Sequence, residues 1–319
     1  MTKKRITWIS LTLLAVAFLV FSFFLLKNYL DNRASEDKIV FTVKDTLPDG
    51  GGKTMRVILL GGQSNASGCS RDDYLKMNVS EEKYQEYSDG YDNVYINYLS
   101  GANMSEAFVK CSTLQGEMEG CFGPELGLAE KLHEMYPDED FVIIKCAWGG
   151  TNLYEQWLSP SSNGKTGKLY KQFVKFVKTS IDYLEGKNYE VSIEAMCWMQ
   201  GESDSVLVSS AENYGKHLNN FIEDIRGEFS DYASEDGIAF IDAYIADNPV
   251  YWVHCDEVNA GKREVSKLSD KNFVVDTIAE GLAFSNEPAD NPDLAHYDSM
   301  SEILLGHLFA IATSQYLDD

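Results

Sequence analysis

Four continuous apolar segments alternate with four amphipathic segments along the chain, and this alternation limits the possible folds more than any other feature. Because the apolar segments are continuous, each is predicted to be a strand buried on both faces. The amphipathic segments repeat apolar residues at helical spacing. The sequence therefore predicts an α/β fold, with helices on both sides of an open parallel sheet. The predicted strands are residues 55–62, 140–150, 191–204 and 237–245, and the predicted helices are residues 123–137, 169–187, 211–229 and 299–317.

One large domain is predicted for residues 53–319. The chain has 319 residues and an apolar content of 44 %, which is ample for a packed core. No linker or change of composition divides this part of the chain. Two irregular stretches, residues 66–122 and 244–292, are expected to form long loops over one face of the sheet.

The first 33 residues differ in composition from the rest. A basic cluster at residues 3–5 precedes a run of 21 uncharged residues, 6–26, which is long enough to cross a bilayer as a helix. Cleaved signal peptides have a shorter apolar region that ends in small residues, whereas this run ends in Phe and Leu. We therefore predict a basic cytoplasmic tip and an uncleaved transmembrane signal anchor in residues 1–33. A linker in residues 34–52 then leads to a domain outside the cell.

The exported part of the chain is strongly acidic. Residues 36–319 contain 22 Lys and Arg residues against 49 Asp and Glu residues, a net charge of −27. Such a surface repels nucleic acid, so no nucleic-acid partner is expected. A neutral substrate suits this surface better than a phosphorylated one.

The six cysteines match neither a disulfide scaffold nor a zinc site. The chain is large and contains no Cys-x-x-Cys pair, so neither is expected. Cys111 and Cys121 flank a glycine-containing loop, and their spacing permits a disulfide outside the cell without requiring one.

Polar residues follow three of the predicted strands at the point where each strand ends. The clusters are GGQSN at residues 61–65, WGGT at residues 148–151 and MQGESD at residues 199–204. In open parallel sheets, ligands bind at the carboxyl ends of the strands. These loops are far apart in the chain but share one edge of the predicted sheet, so we predict the functional site there.

Ser64 is the candidate nucleophile at this edge. A serine attacks an ester only when a base removes its proton. His296 is the candidate base, because it lies in a loop just before the last helix and follows Asp293 by three residues. In a tight turn, that carboxylate can bind one ring nitrogen and leave the other facing the serine.

A tetrahedral intermediate also needs hydrogen-bond donors for its oxyanion. The backbone N–H of Ser64 and the flexible Gly149–Gly150 pair are candidate donors. Gln200 adds a neutral amide from the third strand end. Glu202 and Asp204 either orient Gln200, bind sugar hydroxyls or belong to a solvated acidic loop.

Four sequence blocks in this order resemble those of the SGNH-hydrolase superfamily. Within it, they resemble the branch of sialate O-acetylesterases and acetyl xylan esterases, which has Gly-Gln-Ser-Asn in its first block and Gln-Gly-Glu in its third. The resemblance implies a three-layer α/β/α sandwich with a flavodoxin-like parallel sheet. The blocks are GGQSN from residue 61, WGGT from residue 148, WMQGESD from residue 198 and DLAH from residue 293.

The resemblance also implies a carbohydrate esterase that works through an acetyl-enzyme intermediate, without metal or cofactor. Ser64 would be the nucleophile, His296 the base and Asp293 its orienting partner. Gln63 and Asn65, beside the nucleophile, would contact substrate or support the site. The expected partner is an acetylated carbohydrate, either sialic acid or an acetylated xylan-type polysaccharide. Two alternatives remain open: a catalytically silent glycan-binding protein, and an enzyme that hydrolyses lipid esters or thioesters.

Overall fold

A central sheet of eight strands, most of them parallel, organises the fold. The computed structural model describes residues 40–317 of the chain. Two further strands, β2 and β6, form a separate antiparallel pair. The strands in chain order are β1 (Thr54–Gly62), β2 (Ser70–Arg71), β3 (Val94–Ser100), β4 (Asn103–Met104), β5 (Val109–Lys110), β6 (Cys121–Phe122), β7 (Phe141–Ala147), β8 (Glu190–Met199), β9 (Ala239–Ala243) and β10 (Asn272–Val275).

The strand order across the sheet is β10-β9-β8-β1-β7-β3-β4, with β5 also paired to β3. The six strands from β10 to β3 are parallel to one another, whereas β4 and β5 are antiparallel to β3. Within the sheet, β7-β1-β8-β9-β10 follows the flavodoxin-like order. The predicted strands correspond to β1, β7, β8 and β9, so the predicted parallel sheet is confirmed.

Eight α-helices accompany the sheet in the described part of the chain. They range from a single turn after β1 to helices of five or six turns on the faces of the sheet. The helices are α1 (Ser64–Ser67), α2 (Asp72–Asn78), α3 (Glu81–Asp89), α4 (Glu125–Met135), α5 (Lys168–Gly186), α6 (Val208–Glu228), α7 (Cys255–Ser266) and α8 (Ser299–Ser314).

These helices cover both faces of the sheet, as neighbouring residues of β8 show. Cys197 Sγ lies 3.9 Å from Thr313 Oγ1 on α8, whereas the ring centroid of Trp198 lies 4.7 Å from that of Phe221 on α6. Successive residues of a strand point to opposite faces. Helix α4 packs against α8 on the first face, and Tyr170 of α5 contacts Phe221 on the second. The predicted three-layer α/β/α arrangement is therefore confirmed.

The two stretches expected to be long loops contain regular structure. Residues 66–122 include α2, α3 and β3, and residues 244–292 include α7 and β10. The expectation of loops is wrong here because α2 and α3 each bury only one apolar residue, and because Asn97 interrupts the apolar run of β3. In α3, for example, Tyr87 is the single buried residue.

The described part of the chain begins shortly before the domain. Residues 41–52, which the sequence assigns to the linker, belong to the same compact unit as the domain. The ring centroids of Phe41 and Phe176 are 5.1 Å apart. The predicted anchor in residues 1–33 lies outside the described residues. Among residues 40–317, no helix is long and apolar enough to cross a membrane.

All six cysteines are buried thiols without a disulfide. Cys111 lies in the core, where its Sγ is 3.3 Å from the Glu125 carbonyl oxygen. The disulfide that spacing permits between Cys111 and Cys121 is absent.

Candidate active site

The carboxyl ends of three central strands meet at one edge of the sheet, as predicted. Gly62 at the end of β1 pairs with Ala147 at the end of β7 and with Met199 at the end of β8. The loops that follow therefore leave the sheet side by side. This register brings the three polar clusters together.

The turn that presents Ser64 depends on Gly62. Its φ is +140°, and a Cβ there would lie 2.0 Å from the Met199 carbonyl oxygen. The Gln63 N–H donates to the same oxygen at 2.9 Å, which fixes the turn to β8. Ser64 then begins the single-turn helix α1 and is half-buried.

Asp293 and His296 form a hydrogen-bonded pair in the loop before α8. His296 Nδ1 lies 2.7 Å from Asp293 Oδ2, and Asp293 Oδ1 accepts the Ala295 N–H at 2.9 Å. Partial burial acts to raise the pKa of Asp293, but these hydrogen bonds outweigh it and hold the pKa below its usual value. An ionised Asp293 keeps the proton of the neutral imidazole on Nδ1, which leaves Nε2 as the basic atom.

Asn65 holds this loop beside Ser64. Its Oδ1 accepts the Tyr297 N–H at 3.2 Å, and its Nδ2 lies 3.5 Å from the Ala295 carbonyl oxygen. Asn65 therefore contacts both neighbours of His296 in the chain. No hydrogen bond joins the Ser64 hydroxyl to His296 among the described residues, and such contacts are often long in enzymes without substrate.

Two backbone N–H groups near the candidate nucleophile, those of Ser64 and Gly150, have no hydrogen-bond partner within residues 40–317. Gly150 is exposed and has a φ of +66°. The Gly149 N–H instead donates to Glu117 Oε2 at 2.8 Å, so it is not free. Of the two predicted glycines, the geometry favours Gly150 as an oxyanion donor.

Gln200 is fully buried, and its amide group is fully engaged. Its Nε2 lies 2.6 Å from Asp204 Oδ2, 3.0 Å from the Thr151 carbonyl oxygen and 3.2 Å from Gln63 Oε1. Its Oε1 accepts the Tyr214 hydroxyl at 3.0 Å. Gln200 therefore connects the three strand-end loops, and in this arrangement its Nε2 donors are bound within the protein and not free for an oxyanion.

Glu202 and Asp204 are also too buried to reach a substrate, with 1 % exposure each. Glu202 accepts the Asn65 Nδ2–H at 2.8 Å, and Asp204 accepts the Leu153 N–H at 2.8 Å. Burial raises the pKa of both carboxyls, and that of Asp204 reaches about 6. Gln63 is buried as well. Of the predicted roles for these residues, the geometry favours support of the site over contact with substrate.

Glu117 lies beside the site, although no sequence pattern indicated it. It belongs to the loop between β5 and β6, and its Oε2 accepts both the Ser67 hydroxyl and the Gly149 N–H. Ser67 is the last residue of α1. Glu117 therefore connects the helix that begins with Ser64 to the glycine turn.

We expect Glu117→Ala to lower kcat for acetyl ester hydrolysis by about 10- to 100-fold, because the glycine turn loses the contact that orients it. KM is expected to change less than kcat. Glu117→Gln keeps one acceptor oxygen and should retain more activity. An Ala variant with normal kcat but a lower unfolding temperature would restrict Glu117 to a structural role.

A buried ion pair adjoins α1 from the neighbouring strand. Lys145 on β7 and Glu125 on α4 are both fully buried, and Lys145 Nζ lies 2.7 Å from Glu125 Oε2. The same ammonium donates to the Ser67 carbonyl oxygen at 3.0 Å. Glu125 Oε1 accepts the Gly123 N–H at 2.9 Å. The pair therefore supports the helix that carries the candidate nucleophile.

One group of potential metal ligands occurs in the described part of the chain, in and after the loop that follows β9. It consists of Asp247, Cys255 and Asp256, whose ligand atoms lie within 4.8 Å of one another. Both carboxylates are exposed, and exposed acidic groups are commonly this close without binding an ion. The group contains none of the candidate catalytic residues.

Comparison with known protein families shows to which family the chain belongs. A family of carbohydrate esterases, described as sialic acid-specific acetylesterases, matches residues 54–315. This range covers most of the chain and includes every candidate site residue. The chain belongs to this family. The resemblance inferred from the four sequence blocks is therefore confirmed.

One curated relative of the chain is a probable carbohydrate esterase of Arabidopsis thaliana. The two are 29 % identical over 110 residues, which is 34 % of this chain and 37 % of the relative. The alignment thus spans little more than a third of the relative's length.

The fold of the chain is similar to those of several solved structures. A structure of an Arabidopsis thaliana protein has a TM-score of 0.60 and 21 % identity over 85 % of this chain and 100 % of its own. The structure of NanS has a TM-score of 0.59 and 16 % identity, and the match covers 85 % of this chain and 98 % of NanS. The structure of a carbohydrate acetylesterase from Xanthomonas citri has a TM-score of 0.54 and 16 % identity, and the match covers 82 % of this chain and 56 % of that protein. At these identities the similarity shows a shared fold.

Proposed function

We propose that the protein is an esterase that removes O-acetyl groups from sugar hydroxyls, with Ser64 as the nucleophile. The observation that carries the proposal is the 2.7 Å contact between His296 and Asp293, on a loop that Asn65 holds beside Ser64. A histidine bound to a carboxylate through Nδ1 accepts a proton at Nε2. Serine, base and orienting carboxylate are the groups that acyl-enzyme chemistry needs.

In the proposed reaction, Ser64 Oγ attacks the acetyl carbonyl carbon while His296 Nε2 takes the hydroxyl proton. The intermediate collapses when the bond from the carbonyl carbon to the sugar oxygen breaks, and His296 gives its proton to that oxygen. Water then attacks the acetyl-enzyme and loses a proton to His296. The bond to Ser64 Oγ breaks, Oγ regains the proton, and acetic acid leaves. One water is consumed for each ester.

The proposed oxyanion donors are the N–H groups of Ser64 and Gly150, which have no partner in the described part of the chain. Donors that are fixed before the reaction stabilise the developing negative charge without reorganising. The Gly149 N–H supports this assignment indirectly, because its bond to Glu117 fixes the glycine turn.

The proposed substrate is an O-acetylated glycan, either acetylated sialic acid or an acetylated xylan-type polysaccharide. The family description supports sialic acid. The net charge of −27 over residues 36–319 favours substrates without phosphate groups.

Acetate release from three substrates tests the proposed function. We expect the purified protein to hydrolyse p-nitrophenyl acetate and at least one of O-acetylated N-acetylneuraminate and acetyl xylan. Acetate is measured enzymatically, and His296→Ala serves as the inactive reference. Binding of these glycans without acetate release would instead indicate a silent glycan-binding protein, and the esterase proposal would be abandoned.

We also propose that residues 1–33 anchor the enzyme in a membrane with its domain outside the cell. The support is the basic cluster at residues 3–5 followed by the uncharged run 6–26. Fractionation of cells, followed by protease treatment from outside, tests this proposal. A domain that stays in the soluble cell fraction, or is protected from added protease, would contradict it.

A further inference from the structure

A cavity of about 330 Å³ adjoins the candidate catalytic pair. Its walls include His296 and Asp293 together with the apolar side chains of Met118, Pro288 and Pro292. Small-molecule sites are commonly about 300–1,000 Å³, so this cavity lies at the lower end of that range. It is large enough for one small ligand beside the candidate base.

The reaction proposed above requires the sugar to lie next to His296. His296 gives a proton to the leaving sugar oxygen, so that oxygen must come within about 2.6–3.2 Å of Nε2. The acetyl oxygen faces the other way, toward the N–H groups of Ser64 and Gly150. The cavity at His296 is therefore the position for the sugar, and this step rests on the proposed function.

Arg71 is the one Arg or Lys side chain among the described residues that line this cavity. Its Nε and Nη2 lie 2.9 and 2.5 Å from the two carboxylate oxygens of Asp73. Its guanidinium carbon lies 5.4 Å from the centroid of the Tyr74 ring. A guanidinium has five N–H donors, so three have no partner within residues 40–317.

Asp73 orients the Arg71 guanidinium and leaves its other edge free. Both side chains are about half exposed, at 47 % for Arg71 and 59 % for Asp73. Exposed ion pairs of this kind contribute only about 0–1 kcal/mol, because water screens them. A second carboxylate can therefore bind the free edge of the guanidinium while Asp73 stays in place.

We propose that Arg71 binds the carboxylate of an acidic sugar held in this cavity, and so makes the enzyme prefer O-acetylated sialic acids to neutral acetylated sugars. Met118, Pro288 and Pro292 offer an apolar surface to the C–H groups of the sugar and to the methyl of its acetamido group. Acidic residues dominate the rest of residues 36–319. Two carboxylates, those of Asp293 and Glu287, also line the cavity, but Asp293 is hydrogen-bonded to His296 and Glu287 to Ser299. The Arg71 guanidinium is thus the group at the cavity that can attract and bind a further carboxylate.

The test compares O-acetylated N-acetylneuraminate with its methyl ester, which has nearly the same shape without the charge. We expect the wild-type full-length protein to show a kcat/KM about 10-fold or more higher for the free acid. Arg71→Gln is expected to bring the ratio of the two kcat/KM values near one, mainly through a higher KM for the acid. Arg71→Lys keeps the charge without the planar fork and should give an intermediate ratio.

A matched control is Arg263→Gln, which removes one positive charge from an exposed position of α7 and should keep the wild-type ratio. A wild-type ratio near one, or an unchanged ratio in both Arg71 variants, overturns the inference. Hydrolysis of acetyl xylan without hydrolysis of either sialic acid ester overturns it and leaves the proposed esterase standing. If the wild type hydrolyses no acetyl ester, the proposed function fails, and this inference fails with it.

Discussion

Ser64→Ala is expected to lower kcat for p-nitrophenyl acetate and for acetylated sugars by about 10⁴-fold or more. The variant lacks the oxygen that forms the acetyl-enzyme, while the backbone N–H groups and the His296–Asp293 pair remain in place. Ser64 is half-buried at the start of α1, and its hydroxyl makes no hydrogen bond among the described residues. The unfolding temperature should therefore stay within a few degrees of that of the wild type.

The control for this experiment is Ser209→Ala, at an exposed position of α6. It should keep wild-type kcat and KM. Ser64→Ala with more than a tenth of wild-type kcat would remove Ser64 from the mechanism. Mass spectrometry of the wild type quenched during turnover should find one added acetyl group on the peptide that contains Ser64.

Lys145→Met is expected to lower the free energy of unfolding by about 3–5 kcal/mol. Lys145 and Glu125 are fully buried, and removal of the ammonium leaves the Glu125 carboxylate in the core without its cation. The Ser67 carbonyl oxygen also loses its 3.0 Å contact with Lys145, so activity should fall along with stability. Urea unfolding, followed by fluorescence or circular dichroism, measures the change.

Two further variants separate the effect of the unpaired Glu125 carboxylate from other effects of this substitution. Lys145→Met combined with Glu125→Gln removes the charge, so the double variant should be more stable than Lys145→Met alone. Lys131→Met breaks a partly exposed pair with Glu134 on α4 and should change the free energy of unfolding by about 0.5 kcal/mol or less. A loss below 1 kcal/mol for Lys145→Met would show that the core accepts Glu125 without its partner.

Periodicity in the sequence predicted the central strands of the sheet but not the strands toward its sides, such as β3. Strands β1, β7 and β8 are buried on both faces, so each has a continuous apolar run that can be recognised in the sequence. Strand β3 interrupts its apolar run with Asn97, which is buried because its Nδ2 donates to Ser180 Oγ on α5 at 2.9 Å. That partner is 83 residues away. A local pattern cannot show that a distant hydroxyl makes a polar residue acceptable inside the sheet.

The candidate catalytic residues were predictable because each belongs to a short motif. Ser64 follows a glycine turn at a strand end, and Asp293 stands three residues before His296, which is the spacing that the 2.7 Å contact requires. Arg71, Glu117 and the Lys145–Glu125 pair belong to no such motif. They reach the site through contacts between loops, strands and helices that are distant in the chain.

The sequence by itself determined the parallel α/β fold, the edge of the sheet that carries the site, and the candidate nucleophile, base and orienting carboxylate. Only the tertiary structure decided which of the predicted oxyanion donors are free. Glu117 engages the Gly149 N–H, and the amide of Gln200 is fully engaged inside the protein, while the Gly150 N–H has no partner among residues 40–317. The physical reason is that the sequence shows which backbone N–H groups and side-chain amides can donate a hydrogen bond, but not which of them already do so. Whether a donor remains available depends on the acceptors that the fold brings to it.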